Sequence, residues 1–555
     1  MAIRFSARTI AGVTTAGLAN VIVGGALLAP ADAGLLGPSG PVAPTSTQAT
    51  VNGTTATVRW TTPTEPSGAW ITVDAIEPAR GVVGTRACFG CTSLAWDGLR
   101  GGQTYAFAVR ATTTSAQSTA ITTAPVSVAE IGACAGSATC VSIDATQSLG
   151  AVAHPASGFL HSISQSTPPA LIAAVHPTSW RVQASNVAQI AAADASGAVV
   201  QQVLSDAWWG HTYTAARGTA ASPWSSWLTY SSWVQYTVRA AEAAGQAPAY
   251  WDIQNEPETK PYYDPAAPAT PSLVLQQYLT AYNAIKSVDA NAKVVAPSID
   301  WAFNQPGWPV DLRRFIDYAA ANNMKVDALS WHENGDGDGP ATRPEAIADH
   351  VATVRQYLTR YPALGNPPII INEYAGASSA LKPGWLVSYF ASIGSAGVQA
   401  ADHSCFHGCF DADDVLDGTI TPSGATTEAY WTYVRYADLS GQRVRTGAAD
   451  DHVNAVAAVA GDGSVHVLVG RDDACVAAGN GSCGGGTPAD TKVVITVPAG
   501  WTSAQVSGAV LPDDLLLTDP TPLASSVVPV VGGIATITVP ALDDGGAASL
   551  VVRPV

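Results

Sequence analysis

The chain has 555 residues, enough for three or four domains, and 47% of them are apolar, enough for sizeable cores. Only 12% are charged, too few for a disordered, solvating protein. The formal net charge of −17, from 43 Asp and Glu against 26 Lys and Arg, argues against nucleic acid or an anionic membrane surface as partner and leaves neutral polymers open.

Arg4 and Arg8 form a short positive region, and an apolar stretch of small residues follows over 10–28. Ala31-Asp32-Ala33 then gives the small-x-small pattern of a signal-peptidase site. Residues 1–33 read as a signal peptide rather than a retained anchor, because the stretch is rich in Gly, Ala and Thr and poor in Leu and Ile. The mature chain is expected outside the cell and free of the membrane. The eight cysteines fall as four local pairs: Cys88 with Cys91, Cys134 with Cys140, Cys405 with Cys409, and Cys475 with Cys483. In an exported chain they read as four disulfides. A zinc site would need a second Cys-x-x-Cys to match Cys88-Phe89-Gly90-Cys91, and none exists.

Residues 34–48 form a Gly/Pro/Ser/Thr-rich linker. Over 49–128, short alternating runs such as Ala56-Thr57-Val58-Arg59-Trp60 predict a β-sandwich, and 129–141 a second linker. In Leu99-Arg100-Gly101-Gly102-Gln103-Thr104-Tyr105-Ala106-Phe107-Ala108-Val109-Arg110-Ala111, the Leu, Gly, Tyr, Val and Ala positions resemble the tyrosine corner and following strand of a fibronectin type III domain. Trp60 matches that family's core tryptophan. The resemblance implies a spacer or a weak carbohydrate contact and no activity.

From 142 to 438 strands and helices alternate. Apolar runs lie at 158–163, 179–182, 199–204, 249–253, 293–298, 328–331, 368–372 and 397–400. Between them, helical faces recur: Leu275, Leu279, Tyr282 and Ile285; Leu312, Phe315, Ile316 and Ala319; Ile347, Val351, Val354 and Leu358. Eight strands with intervening helices predict a (β/α)8 TIM barrel. A doubly wound sheet would want a Gly-rich phosphate loop after the first strand, and none is present. Over 439–555 the helices stop, and alternating runs predict a C-terminal antiparallel β-sandwich, to which 141–145 can add a strand.

Two strands end in a carboxylate. Trp251-Asp252-Ile253-Gln254-Asn255-Glu256-Pro257 places Asn255 and Glu256 at the C-terminal rim after the fourth strand, where proline stops it. Pro368-Ile369-Ile370-Ile371-Asn372-Glu373-Tyr374 does the same for Glu373 and Tyr374 on the seventh. Two carboxylates facing across one pocket are what glycoside hydrolysis requires: one protonates the leaving oxygen, and the other attacks, or directs water at, the anomeric carbon.

Asn-Glu-Pro after strand four and Glu after strand seven resemble the marks of clan A glycoside hydrolases, which are retaining barrels. Within the clan the sequence looks most like glycoside hydrolase family 39. Position 373 follows position 256 by 117 residues, which suits that family. Val326-Asp327-Ala328-Leu329-Ser330-Trp331-His332 resembles its sixth strand. Gly418-Thr419-Ile420-Thr421-Pro422-Ser423-Gly424, with Ala429-Tyr430 and Leu439-Ser440-Gly441, resembles its exit from the eighth. Gln254, where the family has an aromatic, Asn334, where a tyrosine often follows the strand-six histidine, and the lack of a tryptophan on strand eight depart from the pattern around the sugar subsite.

The resemblance implies Glu256 as general acid/base, Glu373 as nucleophile and Asn255 on the substrate 2-hydroxyl. His332 reads as a contact to the nucleophile or sugar, or as a core histidine. Arg181 pairs with Glu373 and holds it ionised, or forms an ion pair deeper in the barrel. Trp208 and Trp209, after Asp206 on the third strand, form a sugar platform or pack the core. Asp402 and His403 shape the subsite. Asp336-Gly337-Asp338-Gly339 reads as a polar loop rather than a calcium site, since further oxygen ligands are not visible. No cofactor or metal is expected, and nothing signals an oligomeric state. The expected function is a secreted retaining glycosidase acting on plant or microbial oligo- or polysaccharides, with a xylosidase- or arabinosidase-like exo action favoured. The alternatives are a non-catalytic carbohydrate-binding protein on a retired barrel and an endo-glycanase of another clan A family.

Overall fold

The computed structural model describes residues 41–52, 55–61, 70–78, 80–88, 91–96, 99–112, 117–128, 134, 139–161, 167–184, 186–216, 218–257, 268–303, 310–334, 343–376, 379–404, 415–448, 452–472, 487–513 and 519–555. The expected signal peptide and the Asp336–Gly339 loop lie outside them. Of the four expected disulfides, two are formed, between Cys88 and Cys91 and between Cys134 and Cys140. The other two do not appear among the described residues. Cys405 and Cys409 both lie outside those residues, and so do Cys475 and Cys483. Among the described residues no helix is long and apolar enough to cross a membrane.

Residues 46–128 build two small antiparallel sheets around one core. Ser46–Asn52, Thr55–Thr61 and Ser93–Trp96 form the first; Trp70–Glu77, Gly81–Cys88, Thr104–Thr112 and two short segments form the second. Trp60, Trp96, Leu99, Tyr105 and Phe107 fill the space between them, and the Tyr105 hydroxyl accepts a hydrogen bond from the Arg100 amide at 3.2 Å. This module packs on the helix Ala346–Leu358 through an Arg86–Asp349 ion pair of 2.8 Å. Gly84 faces the same carboxylate, and a Cβ there would run into it.

Eight parallel strands then close into a barrel: Gly158–Leu160 (β1), Ser179–Gln183 (β2), Val199–Val203 (β3), Tyr250–Asp252 (β4), Val294–Ile299 (β5), Ala328–Glu333 (β6), Ile369–Tyr374 (β7) and Ala400–His403 (β8). The strands are short apolar runs because both faces are covered, by the barrel interior and by the helices. The helices start and stop where their caps say. Asn186 accepts from the Gln189 amide ahead of Val187–Ser196, and Gly197 ends that helix in the left-handed conformation. Thr270 caps Pro271–Val288 in the same way, with proline at the first turn.

The last eight strands of the chain and one from before the barrel form a second closed sheet around its own core of Val, Ile, Leu and Ala. The strand from before the barrel is Cys140–Ala151, an extension of the 141–145 segment that the sequence offered to this sheet: it pairs antiparallel with Gln442–Ala448 and parallel with Ala489–Thr496. Where an antiparallel sandwich was expected, the sheet is a ring with one parallel seam, and that seam is made by the strand from before the barrel. The barrel helix Pro383–Ala396 lies against this ring, with Gly384 so close to Arg471 that a Cβ would overlap its carbonyl.

Candidate active site

Two irregular strand pairings shape the C-terminal mouth of the barrel. Between β5 and β6 the register shifts around Ser298, and between β6 and β7 it shifts around Asn372, so each is an extra residue opposite none. Ser298 adopts a left-handed φ of 52°. The two then lock together, Asn372 Nδ2 donating to Ser298 Oγ at 2.7 Å and to Asp252 Oδ2 at 3.0 Å. With Asn372 taken up in the bulge, the next residue, Glu373, stands opposite His332.

Asp252 at the end of β4 is wholly buried. Burial pushes its carboxyl up, against the opposing pull of Arg181 and of a 2.8 Å hydrogen bond from Ser298. Arg181 on β2 spreads its guanidinium over three acceptors: Nε to Asp252 Oδ2 at 2.7 Å, Nη1 to Glu373 Oε1 at 2.7 Å and Nη2 to Asn255 Oδ1 at 3.0 Å. Burial works against its charge, and the Asp252 and Glu373 carboxylates more than make this good. Both readings of Arg181 therefore hold at once: it meets Glu373 and also anchors a deeper ion pair.

Beyond β4 the Asn255 amide donates to Ser205 Oγ at 3.0 Å, and the Glu256 amide to the Ser298 carbonyl at 3.0 Å. Glu256 takes a left-handed φ of 40°, a conformation that costs a non-glycine residue about 1–3 kcal/mol and that its fixed neighbours must impose. This turn directs its carboxylate to His332, whose Nδ1 lies 2.9 Å from Glu256 Oε1 and 3.8 Å from Glu373 Oε2. Burial would lower the His332 pKa, but the Glu373 charge and the hydrogen bond to Glu256 outweigh it and raise it. Ser404 Oγ donates to Glu373 Oε2 at 3.4 Å.

Sequence reasoning missed Asp300, which follows β5. Its carboxylate, that of Glu256 and a ring nitrogen of His332 lie within 4.8 Å of one another. Burial, then the Glu256 charge, raises its pKa. These three could each offer one ligand to a metal ion. Asp252 was missed too, although an aspartate inside an apolar strand was the available signal.

Several expected site residues lie elsewhere. Tyr374 is buried away from the mouth, its hydroxyl donating to the Ala156 carbonyl at 2.7 Å and bonded to Tyr433. His403 is inside β8 rather than after it, with Nε2 against the Ala380 carbonyl at 2.9 Å and its ring between Tyr374 and Tyr433; burial pushes its pKa down to about 4. Asp402 lies inside β8 as well, accepting from Gln201 Nε2 at 2.6 Å, and burial pushes it up to about 7. Trp208 packs the core against Tyr230 and Trp233 because a helix, Leu204–Thr212, begins directly after β3 and turns it inward. Trp209 is half-buried against Tyr213. Asp206 faces His161 across 3.9 Å. Gln254 is buried and bonded to Gln277.

No family model and no curated protein matches this chain. Solved structures do share its fold. N2152 from Neocallimastix frontalis aligns with a TM-score of 0.61 at 16% identity, over 75% of this chain and 100% of that one. A glucosidase from Croceicoccus marinus aligns with a TM-score of 0.55 at 15% identity, over 75% and 99%. A monomeric beta-xylosidase from Caulobacter crescentus CB15 aligns with a TM-score of 0.55 at 14% identity, over 75% and 100%. At these identities the likeness is one of fold: this chain carries the parallel eight-stranded barrel seen in glycoside hydrolases.

Proposed function

We propose that the chain is a retaining glycoside hydrolase, with Glu256 as general acid/base and Glu373 as nucleophile. The observation that carries this reading is the single His332 nitrogen between them. At 2.9 and 3.8 Å from the two carboxylates, it limits Glu256 Oε1 and Glu373 Oε2 to at most 6.7 Å apart. Retaining enzymes place their carboxyl groups about 5–5.5 Å apart, and inverting enzymes about 6.5–9.5 Å, to admit a water. In the retaining mechanism Glu373 attacks the anomeric carbon while Glu256 gives its proton to the departing oxygen. Glu256 then takes a proton from the water that releases the sugar. Asn255, fixed by Arg181 and Ser205, is placed to hold the 2-hydroxyl. Arg181 sets a fixed positive charge against Glu373 without competing for the proton.

The substrate is a neutral oligo- or polysaccharide, in keeping with the acidic chain. The structural neighbours are named as a glucosidase and a beta-xylosidase, so glucosides and xylosides head the panel, and the family 39 likeness favours exo action. The N-terminal module is a fibronectin type III-like spacer, and the enzyme works outside the cell. The test is proton NMR of the first sugar released from whichever panel substrate is cleaved. Its anomer should match that of the substrate, and an inverted first product rejects the reading.

A further inference from the structure

We propose that Trp301 is the platform on which the leaving-group sugar stacks, held in place by Asp300. This rests on Glu256 being the acid/base. Of the sixteen tryptophans in the sequence, Trp301 is the one exposed among the described residues, at 38%. A single exposed aromatic needs no explanation by itself, but this one is not loose. Its side chain interacts with the Asp300 carboxylate, to which an indole can offer only its single N–H, so the ring is tethered beside Asp300. The next residue, Ala302, is buried and its carbonyl accepts from the Leu312 amide at 3.1 Å. Phe303 is packed between His350 and the Arg313 guanidinium, and Arg313 also lies over Trp70 of the N-terminal module. The loop is thus pinned on both sides of an open indole.

Its position relative to the chemistry follows from Asp300. That carboxylate sits within 4.8 Å of Glu256, and it feels the Glu256 charge more than that of Glu373. An acid must come within hydrogen-bond reach of the glycosidic oxygen. The sugar beyond that oxygen therefore departs on the Glu256 side, where the indole lies. A flat ring there suits the C–H face of a neutral sugar. After the third strand, Trp208 faces the core and Trp209 packs against Tyr213.

Two substrates separate this role from a structural one. One is the oligosaccharide that the wild-type chain cleaves best from a panel of cello-, xylo-, manno- and laminari-oligosaccharides. The other is the glycosyl fluoride of the same sugar, whose leaving group has no ring to stack. Trp301→Ala should lower kcat/KM on the oligosaccharide about 10–50-fold more than on the fluoride, in line with loss of an aromatic contact. Trp301→Phe should recover most of the difference. Equal losses on both substrates, or no loss on the oligosaccharide, overturn the platform. If Glu256→Gln fails to distinguish good from poor leaving groups, the acid/base reading falls and the platform with it. If Glu256→Gln does distinguish them and both Trp301 variants leave the ratio unchanged, only the platform falls.

Discussion

Arg181 Nη1 lies 2.7 Å from Glu373 Oε1, and both side chains are almost completely withdrawn from water. The same guanidinium serves Asp252 and Asn255, so one planar fork sets three side chains of the site. A lysine carries the charge but not the fork. Arg181→Lys should lower kcat about 10²–10³-fold, the scale seen when one preorganised donor is lost. The check is kcat on an aryl glycoside with a circular dichroism spectrum of the variant beside it. A folded variant within about threefold of wild type would show that the fork does not organise the nucleophile.

Glu373→Ala should abolish turnover and leave a small cavity beside the anomeric carbon. Azide can enter it. With an activated aryl glycoside, added azide should restore cleavage and give the glycosyl azide of inverted configuration, read by NMR. Substantial turnover without azide would place the nucleophile elsewhere.

Glu256→Gln keeps the shape and removes the proton. Proton transfer of this kind contributes about 10²–10⁴-fold, and it matters most for a poor leaving group. The variant should lose most activity on oligosaccharides. On a dinitrophenyl glycoside it should give a burst of phenol followed by slow turnover. Equal losses on both classes of substrate count against the assignment.

Asp300→Asn tests the charge beside the acid. Asp300 faces Glu256 from the loop after β4, His332 from β6 and Glu373 from β7. A neighbouring negative charge makes a carboxylic acid harder to ionise, so removing it makes the proton on Glu256 easier to lose. The basic limb of the kcat/KM profile should move to lower pH, and a limb that stays fixed, or moves up, would contradict the coupling. Asparagine keeps an oxygen that can accept from the Trp301 indole, so any general structural loss would lower the whole profile without moving that limb.

Asp402 carries a pH dependence of stability rather than of activity. Burial raises it from 3.8 to about 7 in the folded chain. A raised folded pKa means that the fold prefers the protonated form, so its contribution is fully present below about pH 4 and is lost as the pH rises through about 7. Urea unfolding across this window should show the wild type losing stability with rising pH, and Asp402→Asn losing less. Parallel curves for the two would rule out Asp402 as the source.

The barrel and its two glutamates could be read from the sequence because each depends on local signals. A strand buried on both faces is an unbroken apolar run, and Asn255-Glu256-Pro257 ends one. The partner of Arg181 could be read because buried charges need counter-charges. What could not be read depends on pleat and register. Tyr374 follows Glu373 directly, yet it points into the core, bonded to Ala156 and Tyr433, while the glutamate meets Arg181. The bulges at Ser298 and Asn372 decide which residues share the mouth, and each involves a neighbouring strand far away in sequence. Trp208 went to the core because helix replaces strand one residue after Val203. Asp300 carries no motif at all; only closure of the barrel brings it to Glu256.

The strand Cys140–Ala151 is made early in synthesis, but its partners Gln442–Ala448 and Ala489–Thr496 are made late. At translation speeds of about 5–20 residues per second it waits roughly 15–60 s with both edges open. Such edges invite pairing with other chains. The growing polypeptide must therefore keep this segment from strangers until its own C-terminal region emerges. A chain cut short before residue 489 would never acquire that parallel seam, and its exposed edge would remain a point of aggregation beside an otherwise complete barrel.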